Sequence, residues 1–277
     1  MAVVAPSGPV TPEVFSAGVA ALREDGVQVK IMPHAAGKDG LYPYLSASVE
    51  ERRSDLVEAW LDPEVDLVMC ARGGFGSAQL LPELDFELLK QRDLPVVGFS
   101  DITALHWAMI SAGTGTPVAG VMLSALPRLD DALRGAMADA IACRPRTLGT
   151  FTVVKEGEVS GLPLPGNLTV AASLAGTPSM PDTTGRIVIF EDVNEPDYRV
   201  DRMLTQLEQC GVFSRCAGAI FGEFSGAENP RRLIERISAG IDGPVLCDFP
   251  FGHGKPFPAI NFRQKLQITA SGMVSAL

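Results

Sequence analysis

The stretch Pro95-Val96-Val97-Gly98-Phe99-Ser100-Asp101-Ile102-Thr103 decides how this chain is read. A short apolar run predicts a buried strand, a glycine loosens its end, and a serine stands where the pattern turns to helical spacing. In open α/β sheets, ligands gather at the carboxyl ends of strands, and Ser100 falls at such an end.

Working outward, the preceding residues repeat one unit. Residues 3–5 read as a first strand. Thr11-Pro12-Glu13 then supplies a helix cap, a first-turn proline and a first-turn acid ahead of Phe15, Val19 and Leu22. A second strand is predicted over 27–32, followed by a loop with His34 and a turn at Gly40-Leu41-Tyr42-Pro43. Ser48 and Glu51 form a capping box for a helix striped with Leu56, Val57, Trp60 and Leu61. Residues 65–70 give a third strand, from which Arg72-Gly73-Gly74-Phe75-Gly76-Ser77 turns into a helical stretch. Strand and helix alternating at this spacing define βαβ units and a mostly parallel sheet.

Beyond Ser100 the pattern is helical over 101–111, extended over 117–122 and helical over 130–143. From Thr147 the texture changes, and 151–154 and 158–162 alternate with turn residues like short, locally paired strands. Asn167 caps a short helix, 186–190 is a strongly apolar strand, and 198–210 is amphipathic with Gly211 as its stop. Strands at 218–222 and 244–247 flank a helix at 231–238, and 264–269 is expected to be the last strand. The domains are therefore drawn as 1–145 and 146–277, the second a mixed α/β fold.

Composition narrows the function. A chain of 277 residues with 46% hydrophobic content can fill two cores. A net charge of −10, with Lys and Arg dispersed, provides no basic stripe for a phosphate backbone or an anionic membrane. The uncharged run 107–127 is interrupted by glycines and prolines, against a membrane span. The first basic residue is Arg23, so the cationic start of a signal peptide is missing and a cytoplasmic location is expected. The cysteines at 70, 143, 210, 216 and 247 contain no C-x-x-C pair, and buried free thiols are expected.

Ser100 at a strand-to-helix turn has two readings, a helix N-cap or a nucleophile whose oxyanion is met by backbone N–H groups. Gly98-x-Ser100 is half of a nucleophile elbow, but Ile102 occupies the place of the second glycine, which excludes the α/β-hydrolase pattern. Three histidines could serve as base. His106, six residues on, reads as a partly buried helix residue, and His34 has no evident role. His253 stands in Phe251-Gly252-His253-Gly254-Lys255, where glycines permit tight geometry. Glu191, directly after the apolar strand, could hold such a histidine, with Asp192 and Glu195 as competitors. Gly73 and Gly74 can present N–H groups to an anion, without either nucleotide-binding spacing.

Five motifs stand in family order: Ala5-Pro6-Ser7-Gly8-Pro9; Arg72-Gly73-Gly74-Phe75-Gly76-Ser77; Gly98-Phe99-Ser100-Asp101-Ile102-Thr103; Glu191-Asp192-Val193-Asn194-Glu195 running into Tyr198-Arg199-Val200-Asp201-Arg202-Met203-Leu204; and Gly252-His253-Gly254. On these the chain resembles the serine LD-carboxypeptidases, including the branch of microcin C self-immunity proteins. The resemblance implies an N-terminal flavodoxin-like domain, a C-terminal swivelling β/α domain and a homodimer. It also implies a triad of Ser100 as nucleophile, Glu191 as orienting acid and His253 as general base, with backbone N–H groups of Gly74 and Asp101 as oxyanion donors. No metal and no organic cofactor are called for.

The implied reaction releases the terminal D-alanine from murein tetrapeptides during peptidoglycan recycling. Two alternatives stand beside it: hydrolysis of peptidyl or aminoacyl adenylate analogues, and a silent ligand-binding protein on the same scaffold. The adenylate reading calls for an aromatic purine pocket, while Trp60 and Trp107 both fall in predicted helices. Two departures from the family pattern are visible. Pro165 replaces a glycine before Asn167, and the segment after His253 is altered to Asn261-Phe262-Arg263-Gln264-Lys265.

Overall fold

The computed structural model describes residues 1–37, 42–254 and 256–277. Gly40 and Leu41 of the expected turn, and Lys255 beside His253, lie outside the described residues. Two compact units are present, Met1–Asp130 and Asp131–Leu277.

In the first unit five strands pair in parallel: β1 (Ala2–Val4), β2 (Lys30–Ile31), β3 (Val68–Cys70), β4 (Pro95–Gly98) and β5 (Thr116–Ala119). Their order is β5-β4-β3-β1-β2. β1 and β3 are fully buried, as the unbroken apolar runs demand of a sheet covered on both faces. The second strand is shorter than expected over 27–32, because Lys30 and Ile31 are exposed at the sheet edge and only they pair with β1.

Helix α1 (Pro12–Glu24) is capped by Thr11, with Pro12 in its first turn, and α2 (Val49–Leu61) starts with the full Ser48–Glu51 capping box. A 3-10 turn at Ser77–Glu83 and the short α3 (Phe86–Leu89) follow the glycine turn. After a further 3-10 turn, Ser100–Ile102, comes α4 (Thr103–Ala112), ended by Gly113 in the left-handed conformation.

The second unit starts with α5 (Asp131–Ile141), which the sequence reading placed in the first domain. The Asn261 side chain donates to Ala140 O at 3.0 Å, tying the end of this helix to the C-terminal segment. Next come β6 (Arg146–Thr150), β7 (Thr152–Lys155), β8 (Val159–Gly161), β9 (Pro163–Asn167) and α6 (Leu168–Ser173). The chain continues through β10 (Ile187–Asp192), α7 (Asp197–Gln209), α8 (Val212–Arg215), β11 (Gly218–Phe224), α9 (Pro230–Ser238) and β12 (Val245–Cys247). It closes with β13 (Ile260–Asn261), β14 (Leu266–Ile268) and β15 (Met273–Ala276).

One sheet has the order β7-β12-β11-β10-β9, parallel except for β7; the other, β6-β15-β14-β8, is antiparallel. Two expectations are corrected here. The strands after Thr147 do not pair locally: β7 pairs with β12, β6 with β15 and β8 with β14. The last strand is β15, where Gly272 in a left-handed turn returns the chain antiparallel to β14. Pro163 and Pro165 lie on β9 at the edge of its sheet, two residues apart, so both missing N–H groups face the unpaired side.

The thiol expectation is also corrected. All five cysteines are free, but only Cys70, Cys216 and Cys247 are buried. Cys143 and Cys210 are exposed because they follow the last turns of α5 and α7. Among the described residues no helix is long and apolar enough to cross a membrane.

Candidate active site

In the first unit the polypeptide leaves β4 at Gly98 and turns at once, with Ser100 at φ 64°. A non-glycine residue in the left-handed region is strained, and such strain concentrates where a side chain must be aimed. Ser100 is not a helix cap: Phe99 holds the N-cap position of the 3-10 turn and Ile102 that of α4. The glycine loop lies directly against it. A Cβ on Gly73 would stand 2.9 Å from Ser100 Cβ and 3.2 Å from its Oγ, so only glycine permits this approach.

Asp101 is buried and knits three segments together. Its Oδ2 accepts the Ser7 hydroxyl at 2.5 Å and the Ser77 N–H at 2.8 Å, and its carbonyl accepts the Ser77 hydroxyl at 2.5 Å. The sequence reading used only its backbone; its carboxylate, with Ser7 and Ser77, was missed, although all three stand in the quoted motifs. Nearby, Gly73 O accepts the Gly8 N–H at 3.1 Å.

In the second unit Glu191 occupies the carboxyl end of β10, where the register against β11 shifts between Phe190 and Asp192. Such an irregularity re-aims side chains. Glu191 is fully buried, and its Oε2 lies 2.7 Å from His253 Nδ1. Its Oε1 accepts Asn167 Nδ2 at 3.0 Å from the register position opposite on β9. Burial raises the Glu191 pKa, partly offset by the hydrogen bonds from His253 and Asn167. Burial alone would lower the His253 pKa, but the Glu191 hydrogen bond and charge outweigh it and the net shift is upward. A carboxylate on Nδ1 holds that nitrogen protonated and leaves Nε2 as the nitrogen able to accept a proton.

The competitors for this role are engaged elsewhere. Asp192 accepts the Thr169 N–H and hydroxyl at 2.9 and 2.7 Å, and Glu195 pairs with Arg199 one turn along at 3.4 Å. The loop carrying His253 is fixed by Glu223, whose Oε2 accepts the Gly254 N–H at 2.7 Å. A cleft of about 360 Å³ opens there, lined by Glu223, Pro250, Phe251, Gly252 and Gly254.

The remaining histidines have structural explanations. His106 is buried and its Nε2 lies 3.0 Å from Val96 O, deeper than the partial burial expected. His34, without a role in the sequence, binds Asp55 through both its N–H and its ring, at 2.8 and 2.9 Å. The larger cavity, about 930 Å³ and lined by residues including Met1, Val27, Lys30 and Leu67, lies at the amino ends of the strands and contains no candidate residue. Ligands of parallel sheets bind at the opposite ends, so the smaller cleft is the relevant one. Among the described residues no three His, Cys, Asp or Glu side chains gather to hold a metal ion.

The altered C-terminal segment has structural bonds. Gln264 accepts from Arg146 at 2.9 Å and donates to Arg144 O and Leu277 O at 2.9 and 3.2 Å.

Comparison with known proteins identifies the family. Residues 1–119 match the model of the LD-carboxypeptidase N-terminal domain and 160–268 that of the C-terminal domain. A putative carboxypeptidase of Streptomyces coelicolor is 36% identical, over 91% of this chain and 84% of its own. The murein tetrapeptide carboxypeptidase of Pseudomonas aeruginosa is 33% identical, over 92% of this chain and 88% of its own. The crystal structure of a muramoyltetrapeptide carboxypeptidase from Oxalobacter formigenes superposes with a TM-score of 0.89 at 27% identity, covering 99% of this chain and 97% of that one. The chain belongs to the LD-carboxypeptidase family. It is a hydrolase of the serine carboxypeptidase type.

Proposed function

We propose that this protein cleaves murein tetrapeptides, releasing the terminal D-alanine from the L-centre before it in peptidoglycan recycling. Ser100 attacks the scissile carbonyl while His253 Nε2 takes its proton. The backbone N–H groups of Gly74 and Asp101 receive the oxyanion. His253 then gives the proton to the leaving amine of D-alanine, an acyl-enzyme remains on Ser100, and water activated by the same histidine releases it. Glu191 keeps His253 in one tautomer throughout.

The observation that carries this reading is the 2.7 Å contact between His253 Nδ1 and a fully buried Glu191. A buried carboxylate is costly without a partner, and this one is spent on orienting an imidazole. The protein acts in the cytoplasm as a homodimer, without nucleic-acid or membrane partners and without a cofactor.

The adenylate-analogue reading ranks second. Trp60 and Trp107 are both fully buried and offer no face to a purine. The test compares D-alanine release from a murein tetrapeptide with hydrolysis of an aminoacyl sulfamoyl adenosine. Faster turnover of the tetrapeptide supports the first reading, and activity on the sulfamoyl adenosine alone replaces it with the second. Labelling of Ser100 by a fluorophosphonate, with release of fluoride, counts against a silent binding protein.

A further inference from the structure

Arg52, on α2, is 1% exposed. A buried guanidinium is costly unless its N–H groups find acceptors. Here the fork spreads over separate backbone segments. Nη1 donates to Pro6 O at 2.6 Å and to Gly76 O at 2.9 Å, Nε to Ala47 O at 3.1 Å, and Nη2 to Gln79 Oε1 at 2.7 Å. Burial pulls the Arg52 pKa below the usual arginine value, and the charge of Asp101 acts in the opposite sense.

A trans peptide is planar, so its C=O and the following N–H point opposite ways. Fixing a carbonyl therefore fixes the N–H behind it. Arg52 draws Gly76 O to one side, and from the other side of the same peptide Ser77 N–H donates to Asp101 Oδ2 at 2.8 Å. Arg52 likewise holds Pro6 O, and the next residue, Ser7, reaches the same carboxylate oxygen through its hydroxyl at 2.5 Å. Between these anchors, Gly73 O accepts the Gly8 N–H at 3.1 Å, which turns the Gly74 N–H away from Gly8.

We infer that Arg52 and Asp101 form the two jaws of a clamp on residues 6–8 and 73–77, and that Arg52 is a positioning residue for the reaction. By pinning the carbonyls of Pro6 and Gly76, it keeps the glycine loop from flipping its peptide planes, so that the Gly74 N–H stays available to the oxyanion. It acts through the loop rather than by touching the reacting atoms. Lysine cannot replace it, because a single ammonium cannot span acceptors arranged around a planar fork. This role rests on the reading of Ser100 as nucleophile.

The test uses the full chain with Arg52→Lys and Arg52→Met. Fluorophosphonate titration counts competent Ser100 sites, so kcat is expressed per site and does not depend on the folded fraction. Loss of an aligned oxyanion donor lowers kcat per site by about 10²-fold, with KM within about threefold, and slows labelling in parallel. A residue that only stabilises the fold would reduce the number of sites and leave kcat per site unchanged, which overturns the clamp. If neither variant folds, Gln79→Met, at an exposed position, decides: a several-fold fall in kcat per site supports the clamp and an unchanged value refutes it. Wild-type protein that is not labelled at Ser100, or an active Ser100→Ala variant, refutes the nucleophile reading and the clamp's catalytic role with it. Labelled wild type with unimpaired Arg52 variants refutes the clamp alone.

Discussion

Ile102 fills the space left by the absent side chain of Gly98: a Cβ there would lie 2.3 Å from Ile102 Cγ2. The turn after β4 thus needs one glycine, and the residue where an α/β-hydrolase keeps its second glycine is the one that packs into the first. Gly98→Ala is expected to destabilise the protein by about 1–3 kcal/mol through overpacking. The loss should shrink in an Ile102→Ala background, because the two positions share one space. Urea denaturation of the two single variants and the double variant measures this.

Gly73 is constrained by Ser100, the proposed nucleophile. In Gly73→Ala the new methyl would press on Ser100 Cβ at 2.9 Å and on Phe99 O at 3.2 Å. Since a shift of about 1 Å can cost about 10² in rate, kcat should fall at least tenfold with the fold retained. Kinetics on protein with unchanged circular dichroism checks it, and wild-type turnover would show that the loop does not constrain Ser100.

The pH dependence follows from His253. Burial alone would lower its pKa, but Glu191, with smaller contributions from Asp192 and Glu223, sets it above the ordinary 6.5. As the proposed base it works unprotonated, so kcat/KM should rise with pH through an inflection above 6.5. Glu223→Gln removes one of the negative charges and should move that inflection to lower pH. For stability the sign is reversed: the imidazolium–carboxylate pair supports the fold below pH 6.5, and its contribution fades as pH rises through the raised pKa.

His106 acts oppositely. Burial drives its pKa down to about 3, against the raising effect of its bond to Val96 O. The unfolded chain binds a proton below about pH 6.5 that the folded chain refuses until about pH 3, so stability should fall by roughly 1.4 kcal/mol per pH unit in that window. His106→Gln, which keeps a donor for Val96 O, should flatten this slope by one proton. Urea midpoints at pH 7 and pH 4.5 for both proteins give the comparison.

Local patterns made much of this legible. The Ser48–Glu51 capping box, the Thr11-Pro12 helix start and the apolar runs of β1, β3 and β4 are written in consecutive residues. The partners of β6, β7 and β8 were not, because their pairing residues stand about a hundred positions away and leave no mark on local periodicity. For the site, spacing could offer Glu191, Asp192 and Glu195 but could not choose among them. In the structure Thr169 and Arg199 engage the other two, and His253 meets Glu191. Arg52 gave no signal at all, since an arginine on a helix is ordinarily solvated and only the convergence of distant carbonyls explains its burial.

The central claim is that Ser100 is the nucleophile, and D-alanine release from a murein tetrapeptide by folded Ser100→Ala tests it most directly. Loss of a nucleophile from a triad removes about 10⁴- to 10⁶-fold in kcat, so turnover should vanish to within that factor. Turnover within tenfold of the wild type, in a variant of unchanged stability, would contradict the account.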